Sequence, residues 1–163
     1  MGMNSSDIIR KITPADNPAV AAIIRSVMTE FGAVGCDFPI EDAEVDAMYE
    51  AYTAPDAVLY VIERDGKILG CGGMGPLAGG PGVCELRKMY FLPELRGSGL
   101  GSKLLELILD AARLATYRIC YLETMDNMLG ARHLYVKYGF KFIDKSMGNT
   151  GHSGCNNYMA LDL

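Results

Sequence analysis

The chain has 163 residues, enough for one ordinary domain and too few for two of usual size. Half of the residues are apolar and 21% are charged, which excludes a disordered chain and supplies a core without disulfides or a structural metal. Fifteen Lys and Arg against 20 Asp and Glu leave a formal net charge of −5, which argues against a general nucleic-acid binder and mildly favours cationic ligands.

The start is polar, Asn4-Ser5-Ser6-Asp7, with no apolar run of a signal peptide. Met1-Gly2 reads as an addition before a native start at Met3. Ile8 to Ile12 alternates weakly and predicts a first strand. Thr13-Pro14-Ala15-Asp16 is a helix-start signal. Val20, Ile23, Ile24, Val27, Met28 and Phe31 then recur at helical spacing until Gly32. Residues 31–39 read as a loop, and Asp42 to Tyr52 as a second, acidic helix. Val58 to Glu63 is a strand, and Asp65-Gly66 is a two-residue hairpin turn. Ile68 to Met74 returns as a strand, residues 75–82 form a loop, and Val83 to Leu92 is a further strand. Leu100 to Thr116 is an amphipathic helix with Leu104, Leu105, Ile108, Ala112 and Ala115 on one stripe. A strand (Ile119 to Glu123), a helix (Met128 to Tyr138), a strand (Phe140 to Ile143), a polar loop and a last strand (Tyr158 to Leu163) complete the chain.

The order is βααβββαβαββ. Hairpins followed by strand–helix–strand units predict a mixed α/β sheet with helices on its faces, as one domain over 1–163. No apolar run reaches the length of a membrane span. The five cysteines, Cys36, Cys71, Cys84, Cys120 and Cys155, are widely spaced and form no C-x-x-C pair. With only His133 and His152 beside them they suggest no metal site, and they suit reduced thiols in a cytoplasm.

The informative segment is 89–103. A strand ends, a glycine-rich turn follows, and the long helix begins. Small residues let the backbone approach a ligand, and the unpaired N–H groups of a new helix favour an anion. Arg96 and Lys103 add charge, which points to phosphate or pyrophosphate. The segment lacks the G-x-x-x-x-G-K-[ST] of a Walker loop. Gly70-Cys71-Gly72-Gly73-Met74-Gly75 spells a dinucleotide fingerprint, but prolines and glycines follow where a helix should start.

Arg96-Gly97-Ser98-Gly99-Leu100-Gly101 resembles the [QR]-x-x-G-x-[GA] signature of the GNAT superfamily of acyl-CoA-dependent N-acyltransferases. Ala131-Arg132-His133-Leu134-Tyr135-Val136-Lys137-Tyr138-Gly139-Phe140 is similar to a second block of that family, A-x-x-L-Y-x-K-x-G-F. The order of elements agrees over nearly the whole chain. The resemblance implies a GNAT-like fold, with a mostly antiparallel central sheet of six to seven strands and four flanking helices.

It also implies an N-acetyltransferase that passes an acetyl group directly from acetyl-CoA to a primary amine of a small molecule or peptide, with no metal. The alternative is a non-catalytic acyl-CoA-binding regulatory module. Carried over, the pyrophosphate belongs to Arg96 and to the backbone of Gly97, Ser98, Gly99, Leu100, Gly101 and Ser102. The pantetheine arm belongs to the strand at Met89, Tyr90 and Phe91, where one N–H also faces the thioester carbonyl. Asn127 stands one residue before the usual helix asparagine, whose place Met128 takes, and is the candidate for that contact.

An alkyl ammonium must lose a proton before it attacks, so a carboxylate in the cleft is needed. Glu85, eleven residues before Arg96, sits where members often place that base. Alternation puts it on one face with Arg87 and Met89, and Glu123 is the second candidate. Tyr135 stands where many members carry the phenol that protonates the leaving thiolate. His133 belongs to another helix face. Acceptor recognition is expected from Phe31 to Asp42, Tyr49, Tyr52 and Met147 to Asn157, with His152 and Cys155 as lining. Members are often homodimers, and the oligomeric state stays open.

Overall fold

The structure, a computed structural model, describes residues 6–35 and 38–163; the Met1-Gly2 start and Cys36 lie outside them. Seven strands form one sheet in the order β1-β2-β3-β4-β5-β7-β6. They are β1 (Asp7–Lys11), β2 (Val58–Arg64), β3 (Lys67–Pro76), β4 (Val83–Phe91), β5 (Ile119–Thr124), β6 (Lys141–Ile143) and β7 (Asn157–Asp162). Every neighbouring pair is antiparallel except β4 with β5. The helices are α1 (Asn17–Glu30), α2 (Met48–Ala51), α3 (Leu100–Leu114) and α4 (Leu129–Lys137).

The sheet is buried on both sides, so its inner strands read as apolar runs. In β2, Leu59 and Val61 face α1 while Val58 and Ile62 face α3, following the two-residue period of a strand. The α1 layer packs through Val20, Ile23, Ile24, Val27 and Met28, and the α3 layer through Leu104, Leu105, Ile108 and Ala112. Asp65 and Gly66 adopt φ of 51° and 80°, the left-handed pair that a two-residue hairpin turn demands.

Entry into α1 is fixed by Asp16. One of its oxygens accepts the Thr13 N–H at 2.7 Å and the Thr13 hydroxyl at 3.0 Å. Arg10 donates to both oxygens, at 2.7 and 3.0 Å. The Arg10 bonds hold the buried Asp16 carboxyl below its ordinary value. A lowered folded value gives stability that is present at neutral pH and lost as pH falls. Asp16→Asn is expected to cost about 1–2 kcal/mol at pH 7, with the deficit shrinking below about pH 4. Denaturant unfolding at several pH values checks this.

Residues 42–52 depart from the single acidic helix expected there. Two 3₁₀ turns, Pro39–Glu41 and Ala43–Asp46, precede the short α2. The backbone is extended at Asp42 (φ −60°, ψ 135°) and non-helical at Ala47 (φ −137°, ψ 47°). Asp42 turns inward to meet Lys88 and His152, a tertiary demand that outweighs local helix preference.

The sheet is split where the site lies. β4 pairs with β5 only through Val83↔Ile119, Cys84↔Cys120 and Glu85↔Tyr121. Beyond Glu85 the two strands diverge. On its other edge β4 carries a bulge against β3, where the register passes from Gly73↔Arg87 to Cys71↔Tyr90. Lys88 sits in that bulge at φ 55°. An extra residue bends a strand and reverses the faces beyond it.

Candidate active site

The bulge corrects the alternation expected from sequence. Glu85 and Arg87 do share a face, with Arg87 Nε 2.7 Å from Glu85 Oε1. Met89 is turned to the opposite one: its sulfur lies with Leu104 and Ile108 where a side chain on Gly72 would stand. Lys88 points toward residues 42–44 instead. Its side chain is only 3% exposed, and its ammonium contacts Asp42 and, at 3.6 Å, Glu44.

Three cavities follow the divergence of β4 from β5, and Tyr90 lines all of them. The first is an apolar cleft of about 380 Å³ between β4, the 96–102 loop and α4. Met89, Phe91, Arg96, Gly97, Ser98, Gly99, Gly101, Ser102 and Tyr135 line it. Gly99 caps α3 at φ 82°, a left-handed backbone that a side chain would strain. Ser98 donates to the Leu95 carbonyl at 2.6 Å, and its hydroxyl oxygen lies 3.4 Å from the Leu100 N–H. Leu100 is fully buried and, unlike its neighbours in the loop, does not line the cleft. The first intrahelical bond at this end is Lys103 N–H to the Gly99 carbonyl, so the N–H groups ahead of it are not spent in the helix.

Arg96 is already engaged. Its guanidinium pairs with Glu30 at 2.7 and 2.8 Å, bonds the Phe91 carbonyl at 2.9 and 3.1 Å, and stacks over Phe31. It fastens the loop to the end of β4 and to α1, and Glu30 offsets its charge. Lys137, which sequence reasoning did not single out, brings a positive charge within 3.5 Å of the Ser102 hydroxyl.

Asn127 stands apart from the other candidates. It is exposed, its amide donates to the Phe31 carbonyl at 2.9 Å, and it lines none of the three cavities. It does not cap the helix either, since Met128 is the N-cap residue of α4 and itself lines the cleft.

A narrow middle cavity of about 50 Å³ shares Met89, Tyr90 and Tyr135 with the cleft, and Lys88, Tyr90 and Glu123 with a third cavity. Cys155 also lines it. Tyr135 is buried, its ring tilted against Phe140 at 5.7 Å. Burial pushes its phenol upward, so it stays protonated at neutral pH. Burial likewise pushes the Cys155 thiol up to about 12, which removes it as a nucleophile. Cys71, Cys84 and Cys120 are also free and buried.

The third cavity, about 430 Å³, is lined by residues of the 39–44 and 149–152 segments and by the 85–90 part of β4. Asp42, Glu44, Glu85 and Glu123 line it together with Arg87, Lys88 and His152, four acidic side chains beside two basic ones and one histidine. Glu85 is 6% exposed, and burial raises its carboxyl above the ordinary value although Arg87 opposes this. Glu123 accepts from Tyr121 at 2.6 Å and from the Thr150 hydroxyl. Tyr49 and Tyr52, expected to touch the acceptor, do not line this cavity; Tyr52 is buried with its hydroxyl 3.4 Å from Glu44. His133 is exposed on α4, as its spacing from Tyr135 predicts.

The pattern that defines the Acetyltransferase (GNAT) family matches residues 21–140. An uncharacterized N-acetyltransferase of Escherichia coli K12, YjgM, is 39% identical over 160 residues, covering 97% of this chain and 96% of that protein. The IAA acetyltransferase of Azospirillum brasilense is 30% identical over 125 residues, covering 77% and 80%. Among solved structures, a GNAT-family acetyltransferase from Staphylococcus aureus Mu50 superposes with a TM-score of 0.85 at 18% identity, covering 96% of this chain and 99% of that one. The yncA protein of Salmonella typhimurium, solved with its cofactor acetyl-CoA, superposes at 0.78 with 22% identity, covering 98% and 95%. With its signature loop at the mouth of α3 and its sheet parted beside it, the chain belongs to the GNAT family of acetyltransferases.

Proposed function

We propose that this protein transfers the acetyl group of acetyl-CoA to a primary amine of a small molecule or peptide, by direct attack within a ternary complex. The observation that supports the reading is a set of three cavities with shared walls beside the point where β4 and β5 part, the glycine-rich loop and Tyr135 lining the first and Glu85 and Glu123 the third. Donor and acceptor can occupy separate cavities and meet at their shared wall, which turns a bimolecular encounter into an oriented one.

In this reading the pyrophosphate rests on the main chain of Gly97 to Ser102, where dipole and N–H groups favour an anion. The pantetheine lies along Met89 to Phe91 as an added strand, and a main-chain N–H of that stretch stabilises the oxyanion of the tetrahedral intermediate. Glu85 and Glu123 draw in the ammonium, and Glu85 takes its proton. Tyr135 gives a proton to the departing thiolate. The excess of carboxylates in the third cavity supports a cationic acceptor. The free cysteines support a reducing compartment such as the cytoplasm.

The test is a thermal-shift titration with acetyl-CoA, then thiol release with spermidine, tyramine and glycylglycine as acceptors. Stabilisation with turnover of an amine is the expected result. Stabilisation with no amine-dependent thiol release supports the binding-module alternative, and no stabilisation contradicts both.

Ser102→Glu separates fold from ligand. A carboxylate in the first turn of α3 is favourable to the helix, so thermal stability is expected to hold or rise slightly. The same charge repels a pyrophosphate, so the Kd for acetyl-CoA is expected to rise by about 10-fold or more, from roughly 1.4 kcal/mol of lost affinity. Calorimetric titration checks the affinity, and a melt of the free protein checks the stability.

A further inference from the structure

We propose that His152, oriented by Asp42, is the proton outlet of the acceptor pocket. The proposal rests on the amine-acetylation reading, in which Glu85 takes the ammonium proton. A base that is only 6% exposed must shed that proton before the next turnover. One of its oxygens is held by Arg87 at 2.7 Å, so the proton must leave from the other. Burial raises the Glu85 carboxyl, which slows direct loss to water and favours a nearby acceptor.

That acceptor is in place. One oxygen of Glu85, one of Glu123 and one ring nitrogen of His152 all lie within 4.8 Å of one another. Three acceptors on the arms of an ammonium, each about 2.9 Å away, stand about 4.7 Å apart. With Nδ1 as the ring nitrogen of the cluster, these groups can cradle the NH₃⁺ group of the acceptor, and a single water can take its place after proton loss.

The ring is also held in one orientation. His152 Nε2 lies 2.9 Å from Asp42 Oδ1, and the buried Lys88 ammonium contacts the other Asp42 oxygen. Burial raises the Asp42 carboxyl, but the bonds from His152 and Lys88 outweigh it and hold it below its ordinary value. An ionised Asp42 calls for an N–H at Nε2 and leaves the lone pair on Nδ1. Nδ1 has no hydrogen-bond partner among the described residues. The His152 side chain is 14% exposed, so it reaches both the cluster and solvent. The charged groups around it are Asp42 and Glu44 from the 3₁₀ segment, Glu85, Arg87 and Lys88 from β4, and Glu123 from β5.

The step balances. An N–H bond of the ammonium breaks, its proton bonds to Glu85, and the electron pair stays on nitrogen to attack the thioester carbon. The proton then passes from Glu85, directly or over one water, to Nδ1. The imidazolium, stabilised by Asp42, releases it to solvent and returns neutral. Asp42 is a positioning residue.

Thiol release from acetyl-CoA with the three amines named above tests this in the full-length wild type, His152→Ala, Asp42→Asn and Glu85→Gln, each titrated with imidazole. His152→Ala is expected to lower kcat by about 10- to 100-fold with the KM for acetyl-CoA unchanged, and imidazole is expected to restore it. Wild type and Glu85→Gln are expected not to respond to imidazole. Full activity of His152→Ala, or a loss that imidazole does not repair, overturns the outlet and leaves the acetyltransferase reading standing. If wild type acetylates none of the amines, the acceptor reading fails for them, and ¹⁵N spectra of the two histidines, with exposed His133 as reference, decide the geometry. His152 as the Nε2–H tautomer, mixing in Asp42→Asn, supports the orientation, and an Nδ1–H tautomer overturns it.

Discussion

Tyr135→Phe is expected to lower kcat by about 10²- to 10³-fold while leaving the melting temperature and the affinity for acetyl-CoA nearly unchanged. The ring does the packing: it is buried in the α3-side core and leans on Phe140, contacts that phenylalanine keeps. The hydroxyl is the part left over. It makes no hydrogen bond to any described residue, although Tyr135 lines both the cofactor cleft and the middle cavity. Removing it deletes a proton donor at the thioester end and little else. A thiolate leaving without a proton is a poorer departure, so the loss belongs in kcat. Steady-state kinetics with a parallel melt checks the split; equal losses in folding and turnover would instead make Tyr135 a packing residue.

Glu85→Gln is expected to cost about 10²- to 10⁴-fold in kcat/KM for the amine, with thermal stability within a few degrees of wild type. Glutamine keeps the shape and can still accept from Arg87, but it cannot take a proton. The sign of the pH dependence follows from burial. Desolvation raises the folded carboxyl, so the neutral form is favoured in the fold. Its contribution to stability is present below the ordinary carboxylate value and lost as pH rises through the raised folded one. Glutamine removes that slope. In catalysis the base must be ionised, so wild-type activity is expected to rise with pH through the same raised value, and that limb is expected to vanish in the variant. Rate–pH profiles of both proteins check this.

What the sequence made legible was local. The glycines of 97–101, the stripe of α3 and the Asp65-Gly66 turn each encode their conformation within a few residues, and all three are found where expected. The mixed α/β class followed from the order of such elements, and the mostly antiparallel sheet from the family resemblance carried by residues 96–101 and 131–140. Long-range matters stayed hidden. The bulge at Lys88 exists only in register against β3, so simple alternation put Met89 on the wrong face. The acidic stretch 42–52 looked helical by composition, yet Asp42 is claimed by Lys88, 46 residues away, and by His152, 110 residues away. Asn127 lies in the turn ahead of α4 and bonds the Phe31 carbonyl, a partner 96 residues away that its spacing from Tyr135 does not reveal. Met128, the next residue, lines the cleft instead. Arg96, expected to meet the anion, is held by Glu30, 66 residues away.

The central claim is that the main chain from Gly97 to Ser102 grips the diphosphate and lays the thioester in the gap between β4 and β5. The most direct measurement is a titration of ¹⁵N-labelled protein with acetyl-CoA, followed amide by amide. Saturable shifts concentrated at 97–102 and along 86–91, with slowed amide exchange in the second stretch, are the result this arrangement requires. Saturable binding whose shifts fall elsewhere, or no binding at all, would contradict it.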